Sequence, residues 1–205
     1  NIQQLAGLFS EAGVQWRPHI KGIKVPAIAH KAIDAGAIGV TCAKLGEAEV
    51  MVDAGITDIL IANQLVTPQK ITRLVNVCRR ADVKVAVESK TNASMIGEAA
   101  AAAGVEVGVV IELDTGMSRA GVAPGEAAVE MSQLVHDTPG LRYMGLMAWE
   151  GHTAAMTDFD EKRKIIEGCV SALTSSADQC REACLPVAII SCGGTSTLRV
   201  TPFLP

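Results

Sequence analysis

Seven short runs rich in Val, Ile and Leu recur along the chain, at residues 14–21, 38–44, 58–63, 83–88, 107–114, 142–149 and 187–192. Most are near-continuously apolar rather than alternating, the pattern of strands buried on both faces. Between them, residues 46–54, 68–81, 92–103, 124–137 and 159–183 combine helical periodicity with good helix formers, and a further helix-like segment opens the chain at 2–12. The helix ends carry signals of their own. Thr67-Pro68 offers an N-cap followed by a first-turn proline, and Gly55 and Gly104 close their helices.

Regular alternation of strand and helix predicts an α/β fold with parallel strands and right-handed crossovers. Two architectures satisfy it: a doubly wound open sheet and a (β/α)8 TIM-type barrel. No GxGxxG follows a first strand, so the dinucleotide-binding form of the open sheet lacks support. Polar or glycine residues stand at the C-terminal ends of many strands: Lys21, Lys44, Asn63, Glu88, Asp114, Trp149 and Gly193. A barrel gathers contributions from many strands at that rim, whereas an open sheet concentrates them at one switch point. The pattern favours the barrel. Seven strands rather than eight, in a chain shorter than the roughly 250 residues a barrel uses, predict an incomplete barrel whose first strand lies before Asn1. With no internal repeat, low-complexity tract or linker, residues 1–205 read as one domain, a partial barrel from a longer protein.

Composition narrows the class. Of 205 residues, 49% are hydrophobic and 20% charged, enough apolar mass for a sizeable core and too much for disorder. A net charge of −4, 3% aromatics and no Lys/Arg-rich block argue against a nucleic-acid surface. No apolar run is long enough to span a bilayer, and the first five residues lack a secretory pattern. The six cysteines are scattered through apolar stretches, which predicts reduced, mostly buried thiols in a cytoplasmic protein. Cys180 and Cys184 are spaced to share a helix face, but no histidine is near them. Core packing is the expectation there, not a metal.

Lys21 closes the segment Arg17-Pro18-His19-Ile20-Lys21. A lysine delivered to a site from a strand end can form a Schiff base with a carbonyl if burial or a neighbouring cation lowers its pKa. Alternation along a strand would place Arg17, His19 and Lys21 on one side. Lys24 competes, beyond Gly22, and a solvated strand-edge lysine is the bland alternative. In Glu112–Gly121 a strand delivers acidic groups and a glycine turn brings Arg119 back, able to hold a phenolate or carboxylate through paired N–H donors. The run Ser191-Cys192-Gly193-Gly194-Thr195-Ser196-Thr197 can form an anion-binding nest, or simply a flexible loop. His152, just past a strand end, suits acid–base work near neutral pH, or lies on the surface. Asn63 and Gln64 form an amide pair that suits ligand contact or helix capping.

Together these segments resemble the fold-type III family of pyridoxal-phosphate enzymes, whose barrel is of the alanine racemase N-terminal type. They are closest to the branch containing D-threonine aldolase and D-serine dehydratase. Arg17 to Lys21 matches the branch's RPHxK motif, and Glu112–Gly121 is similar to its acidic-x-DTGMxRxG turn. Gly145-Leu146-Met147-Ala148-Trp149-Glu150-Gly151-His152 resembles GLMxYEGH, and Cys192-Gly193-Gly194-Thr195 resembles the GGT phosphate loop. The resemblance implies pyridoxal 5'-phosphate held by Lys21 as a Schiff base, with Arg119 at its phenolic oxygen. It places Gly193, Gly194 and Thr195 at the phosphate, and His19, Gln64 and Trp149 as further cofactor or substrate contacts. His152 becomes the candidate base. The implied reaction is retro-aldol cleavage of a β-hydroxy D-amino acid, D-threonine foremost, to glycine and an aldehyde. Dehydration of D-serine or 3-hydroxyaspartate, racemisation, and non-catalytic cofactor binding are the alternatives. The chain departs from the pattern at residues 22–24, where a histidine-bearing end is usual, and at Trp149, where tyrosine is usual. The resemblance implies that the family's C-terminal β domain, with its divalent-metal ligands, belongs to the longer protein rather than to residues 1–205, and no metal ligand is assigned. The partners implied are a small D-amino-acid substrate and a second copy of the chain in a homodimer.

Overall fold

A computed structural model describes residues 1–204. It contains six strands, β1 Val40–Cys42, β2 Asp58–Ile61, β3 Asp82–Val87, β4 Val107–Leu113, β5 Leu141–Ala148 and β6 Ile189–Ser191. Seven α-helices accompany them: α1 Ile2–Glu11, α2 Pro26–Asp34, α3 Leu45–Asp53, α4 Pro68–Cys78, α5 Lys90–Ala103, α6 Glu126–Asp137 and α7 Phe159–Glu182. The strands form one sheet in the order β1-β2-β3-β4-β5-β6. The order of the chain is thus the order of the sheet, with no reversal. A doubly wound sheet has a switch point where the order turns back; a barrel does not. Pairing is parallel in β1–β2, β2–β3 and β5–β6, with Val40 opposite Ile59, Ile59 opposite Val83 and Gly145 opposite Ile189.

Two expectations need correction. The run at 14–21 is not a full strand, so the sheet has six strands rather than seven, and the eight of a complete (β/α)8 barrel are not present. The run does lie beside β1, where Ile38 N–H donates to Trp16 O and Thr41 N–H to Pro18 O. Only one parallel bridge, His19 to Thr41, is made. Pro18 has no N–H to give to a ladder, and the chain turns away at Ile20. Cys180 and Cys184 do not share a helix face either. Cys180 is buried on α7 with its thiol 3.6 Å from Ser132 Oγ, while Cys184 lies past the helix end, exposed, at φ +63°. No cysteine among the described residues is in a disulfide.

The chain packs as two compact units. The first comprises Asn1–Ala86, Ser94–Gly108 and Pro139–Leu141. Its core is built on β1, β2 and β3, where Val40, Cys42, Ile59, Ile61 and Val85 are fully buried. Helix α3 packs on β1 and β2, and α4 packs on α3, with Leu45, Met51, Ile71 and Leu74 buried. The second comprises Val87–Ala93, Val109–Thr138 and the residues from Arg142 on. Val109, Ile111 and Leu146 from its strands and Ile166 and Leu173 from α7 are fully buried. Helix α7 docks on the start of α6, where Gly125 N–H donates to Ser176 Oγ at 2.9 Å. No helix of the described residues is long and apolar enough to cross a membrane.

A charged cluster fixes the first unit at the starting ends of β2 and β3. Lys84 is only 3% exposed, and its Nζ lies 2.7 Å from Asp58 Oδ1 and 2.6 Å from Asp82 Oδ2. Arg17 adds a second cation at 2.5 Å from Asp58. Removing two such cations from water is tolerable only because each meets a carboxylate directly. Gly39 provides the room: a Cβ there would strike the Asp58 carbonyl and the Arg17 guanidinium.

Candidate active site

In the first unit the Lys21 segment is built by His19. Residues up to His19 are extended, and Ile20–Gly22 then form a single 3-10 turn. His19 caps it, its Nδ1 accepting the Lys21 N–H at 3.3 Å, while Ile20 is buried as the anchor. Lys21 therefore sits on a turn with its side chain exposed, not on a strand sharing a face with Arg17. The cations near it in sequence are both neutralised elsewhere. Arg17 pairs with Asp58, and Lys24 pairs with the buried Glu47 at 3.3 Å. Burial alone would raise the Glu47 carboxyl, but the Ala43 N–H at 2.7 Å, Lys24 and His19 outweigh it and hold it below the ordinary carboxylate range.

His19 is pulled down to about 4, chiefly by burial and next by the Lys21 charge, against the opposing pull of Glu47 and the Thr41 backbone. It is neutral at pH 7, as an Nδ1 that accepts a hydrogen bond requires. The unfolded chain, with an ordinary histidine at 6.5, binds the proton first as pH falls. Between pH 6.5 and about 4 the unfolded state therefore holds more protons, and stability rises with pH across that window. Chemical denaturation is expected to show folding stability falling as pH is lowered from 6.5 toward 4, with a shallower fall in His19→Asn. Identical slopes in the two proteins would contradict this.

Gln64 follows β2 in a loop set by Asn63, whose Nδ2 donates to Ala43 O at 2.9 Å and whose Oδ1 accepts the Gln64 N–H at 3.0 Å. Asn63 is thus a loop former beside Gln64.

In the second unit, β4 ends in a tight return. Asp114 Oδ1 accepts the N–H groups of Gly116 and Ser118 at 3.0 and 2.9 Å. These bonds, the Ser118 one foremost, hold its carboxyl below the usual range. Gly116 at φ +122° and Ser118 at φ +53° make the reversal, and the chain bridges back onto Leu113 at Val122. Glu88 accepts the Gly121 N–H. The result brings Arg119 to 5.0 Å from the centre of the Trp149 ring and 3.4 Å from Glu112 Oε1. The indole lies between two glycines. A Cβ on Gly151 would stand 2.7 Å from its six-membered ring, and one on Gly194 2.9 Å from its Nε1. Trp149 is thus seated where any larger neighbour would displace it, and it carries the guanidinium on its face.

His152 stands on the 3-10 turn Gly151–Ala155, against the backbone of Gly116. Its Nε2 is 4.0 Å from Cys169 Sγ, and that thiol lies 3.1 Å from Thr115 O. Burial keeps the Cys169 thiol protonated by raising its pKa.

The glycine loop after β6 differs from a simple nest. The Gly193 N–H donates to Glu150 Oε2 at 3.3 Å and the Gly194 N–H to Thr197 Oγ1 at 3.0 Å. The N–H groups of Thr195 and Ser196 have no acceptor among the described residues. The sequence reading gave Glu150 no role, because its partners lie more than forty residues away, at separations of 43, 47 and 51. Among the described residues no group of three or more His, Cys, Asp or Glu side chains is placed to hold a metal.

The first unit carries a primary amine on an anchored turn. The second carries an arginine held against an indole and a glycine loop in which the N–H groups of Thr195 and Ser196 have no acceptor among the described residues. Chain-ordered parallel strands with helices between them define an α/β domain of the (β/α)-barrel class. The chain matches the alanine racemase N-terminal domain over residues 1–203 and belongs to that family. It is 32% identical to a D-threonine aldolase of an Arthrobacter species over 96% of its own length and 52% of that protein. It is 31% identical to a D-threo-3-hydroxyaspartate dehydratase of a Delftia species, again over 96% of this chain and 52% of that one. The crystal structure of D-threonine aldolase from Filomicrobium marinum superposes with a TM-score of 0.95 at 35% identity, covering 98% of this chain and 55% of the other. The chain therefore spans about half the length of the curated relatives it matches.

Proposed function

We propose that this chain is the cofactor-binding part of a pyridoxal-phosphate-dependent lyase acting on β-hydroxy D-amino acids, with cleavage of D-threonine to glycine and an aldehyde as its reaction. The observation that carries this reading is the likeness to D-threonine aldolase in sequence and fold together, at 35% identity and a TM-score of 0.95. The geometry around Lys21, Arg119 and the loop after β6 supplies groups of the right chemistry. Pyridoxal phosphate, when bound, supplies an electron sink for the carbon whose bond breaks.

Each residue has a role in this proposal. Lys21 is the attachment point, its backbone held by His19. Arg119, braced by Trp149 and Glu112, would hold the phenolic oxygen. Gly193 and Gly194 let the backbone come close to the phosphate, and the N–H groups of Thr195 and Ser196 bind it. Gln64 and His19 orient the cofactor ring or the substrate. His152 takes the proton of the β-hydroxyl at a ring nitrogen as the Cα–Cβ bond breaks, the work of a general base.

A second reading, loss of the β-hydroxyl as water, is favoured by the 31% identity to D-threo-3-hydroxyaspartate dehydratase. Product analysis separates the two. The complete protein, given cofactor, a divalent metal and D-threonine, is expected to release glycine and an aldehyde in equal amounts. A keto acid and ammonia without glycine would overturn the aldolase reading and support the dehydratase.

A further inference from the structure

Glu150 lies two residues past the end of β5, after Trp149, and is 1% exposed. A carboxylate buried this deeply is costly unless its oxygens receive hydrogen bonds. Three donors meet it, and all come from the segment after β6. Thr197 Oγ1 and Thr201 Oγ1 donate to Oε1 at 2.8 and 2.7 Å, and the Gly193 N–H donates to Oε2 at 3.3 Å. Thr197, itself 1% exposed, passes the restraint on: its Oγ1 also accepts the Gly194 N–H at 3.0 Å. Both glycine N–H groups of the loop therefore end on Glu150 or on the hydroxyl that Glu150 orients. A hydrophobic residue would fill the space at less cost in desolvation but would fix nothing.

We infer that Glu150 is a positioning residue for the phosphate-binding loop, setting how tightly this protein holds the phosphate of its cofactor without touching it. The inference rests on the cofactor reading above and adds to it the origin of the loop's rigidity. With Gly193 and Gly194 tied down, the Thr195 and Ser196 N–H groups are presented in one arrangement. Phosphate binding then bears little of the cost of ordering the loop.

Two variants separate this role from general support of the fold. In Glu150→Gln the remaining carbonyl oxygen still accepts both threonine hydroxyls, but the amide nitrogen turns a donor toward the Gly193 N–H and releases it. Thr197→Val keeps the shape and removes the acceptor of Gly194. Dissociation constants of the full chain for pyridoxal 5'-phosphate and for pyridoxal, followed by absorption of the bound aldehyde, give the readout, with melting temperatures to confirm folding. Both variants are expected to weaken the phosphorylated aldehyde by about tenfold, the effect of one lost hydrogen bond to a charged group, and pyridoxal by less than about twofold. Equal weakening of the two aldehydes, or no change in either, would overturn the inference while leaving the cofactor reading intact. Wild-type protein that takes up neither aldehyde would overturn both. Thr197→Val decides the matter if Glu150→Gln does not fold.

Discussion

Gly145→Ala is expected to destabilise the fold by about 2–6 kcal/mol, combining roughly 1–3 kcal/mol for a residue forced into a glycine conformation with a similar amount for overpacking. Gly145 sits in the middle of β5 at φ +136°. It lies opposite Ile189 in the parallel pair with β6, and an added Cβ would run into the Ile189 carbonyl oxygen. That atom is backbone in a hydrogen-bonded ladder, so it cannot swing aside as a side chain would. Either β6 separates from β5 or the β5 backbone leaves its register. Both routes disturb the loop that follows β6 and with it the Glu150 contacts. Since single domains are stable by only about 5–15 kcal/mol, the variant is expected to unfold at a much lower urea concentration or to accumulate as insoluble protein. Gly22→Ala is the control. Its Cβ meets nothing within 4 Å, so the midpoint should stay close to wild type. A Gly145→Ala protein within about 1 kcal/mol of wild type would contradict the described β5–β6 pairing.

The parts of this architecture that local sequence encodes were legible. The apolar runs at 58–63, 83–88 and 107–114 correspond to β2, β3 and β4, because strands covered on both faces need apolar residues at successive positions. Thr67-Pro68 marked the start of α4 at Pro68. The same kind of signal, Pro26 in the first turn, opens α2, a helix outside the predicted helical segments. The turn that returns Arg119 was legible from Asp114 and the glycines, since it closes within a few residues. What the sequence hid is of longer range. Arg17 reads as a companion of Lys21 but is drawn to Asp58, 41 residues on, where Lys84 is also anchored. Lys84 reads as one polar residue in a strand; only the fold shows it buried between two aspartates. Glu150 reads as a member of a motif, and its meaning comes from threonines on another element. The placement of Lys21 on a turn was hidden as well, because it follows from His19 bridging to Thr41 and capping Ile20–Gly22.

Lys21→Ala is expected to abolish covalent uptake of pyridoxal phosphate and, with it, turnover by the complete protein. The attachment needs a primary amine, and alanine leaves none at this position. The turn itself should survive, because its anchors are Ile20, which is buried, and the hydrogen bond from the residue-21 N–H to His19, which does not depend on the side chain. Lys24→Ala is expected to retain the bound cofactor. Lys24 stands outside the turn at φ +55° and is committed to Glu47, so its loss should be read in stability rather than in colour. If Lys24→Ala lost the cofactor and Lys21→Ala kept it, the two roles would be exchanged.

The most direct measurement is chemical mapping of the attachment itself. Wild-type protein saturated with pyridoxal phosphate is reduced with borohydride, digested, and the modified peptide is sequenced by mass spectrometry. One phosphopyridoxyl group is expected, on Lys21. A label on Lys24 or on any other lysine, or a protein that reduction leaves unlabelled, would contradict it.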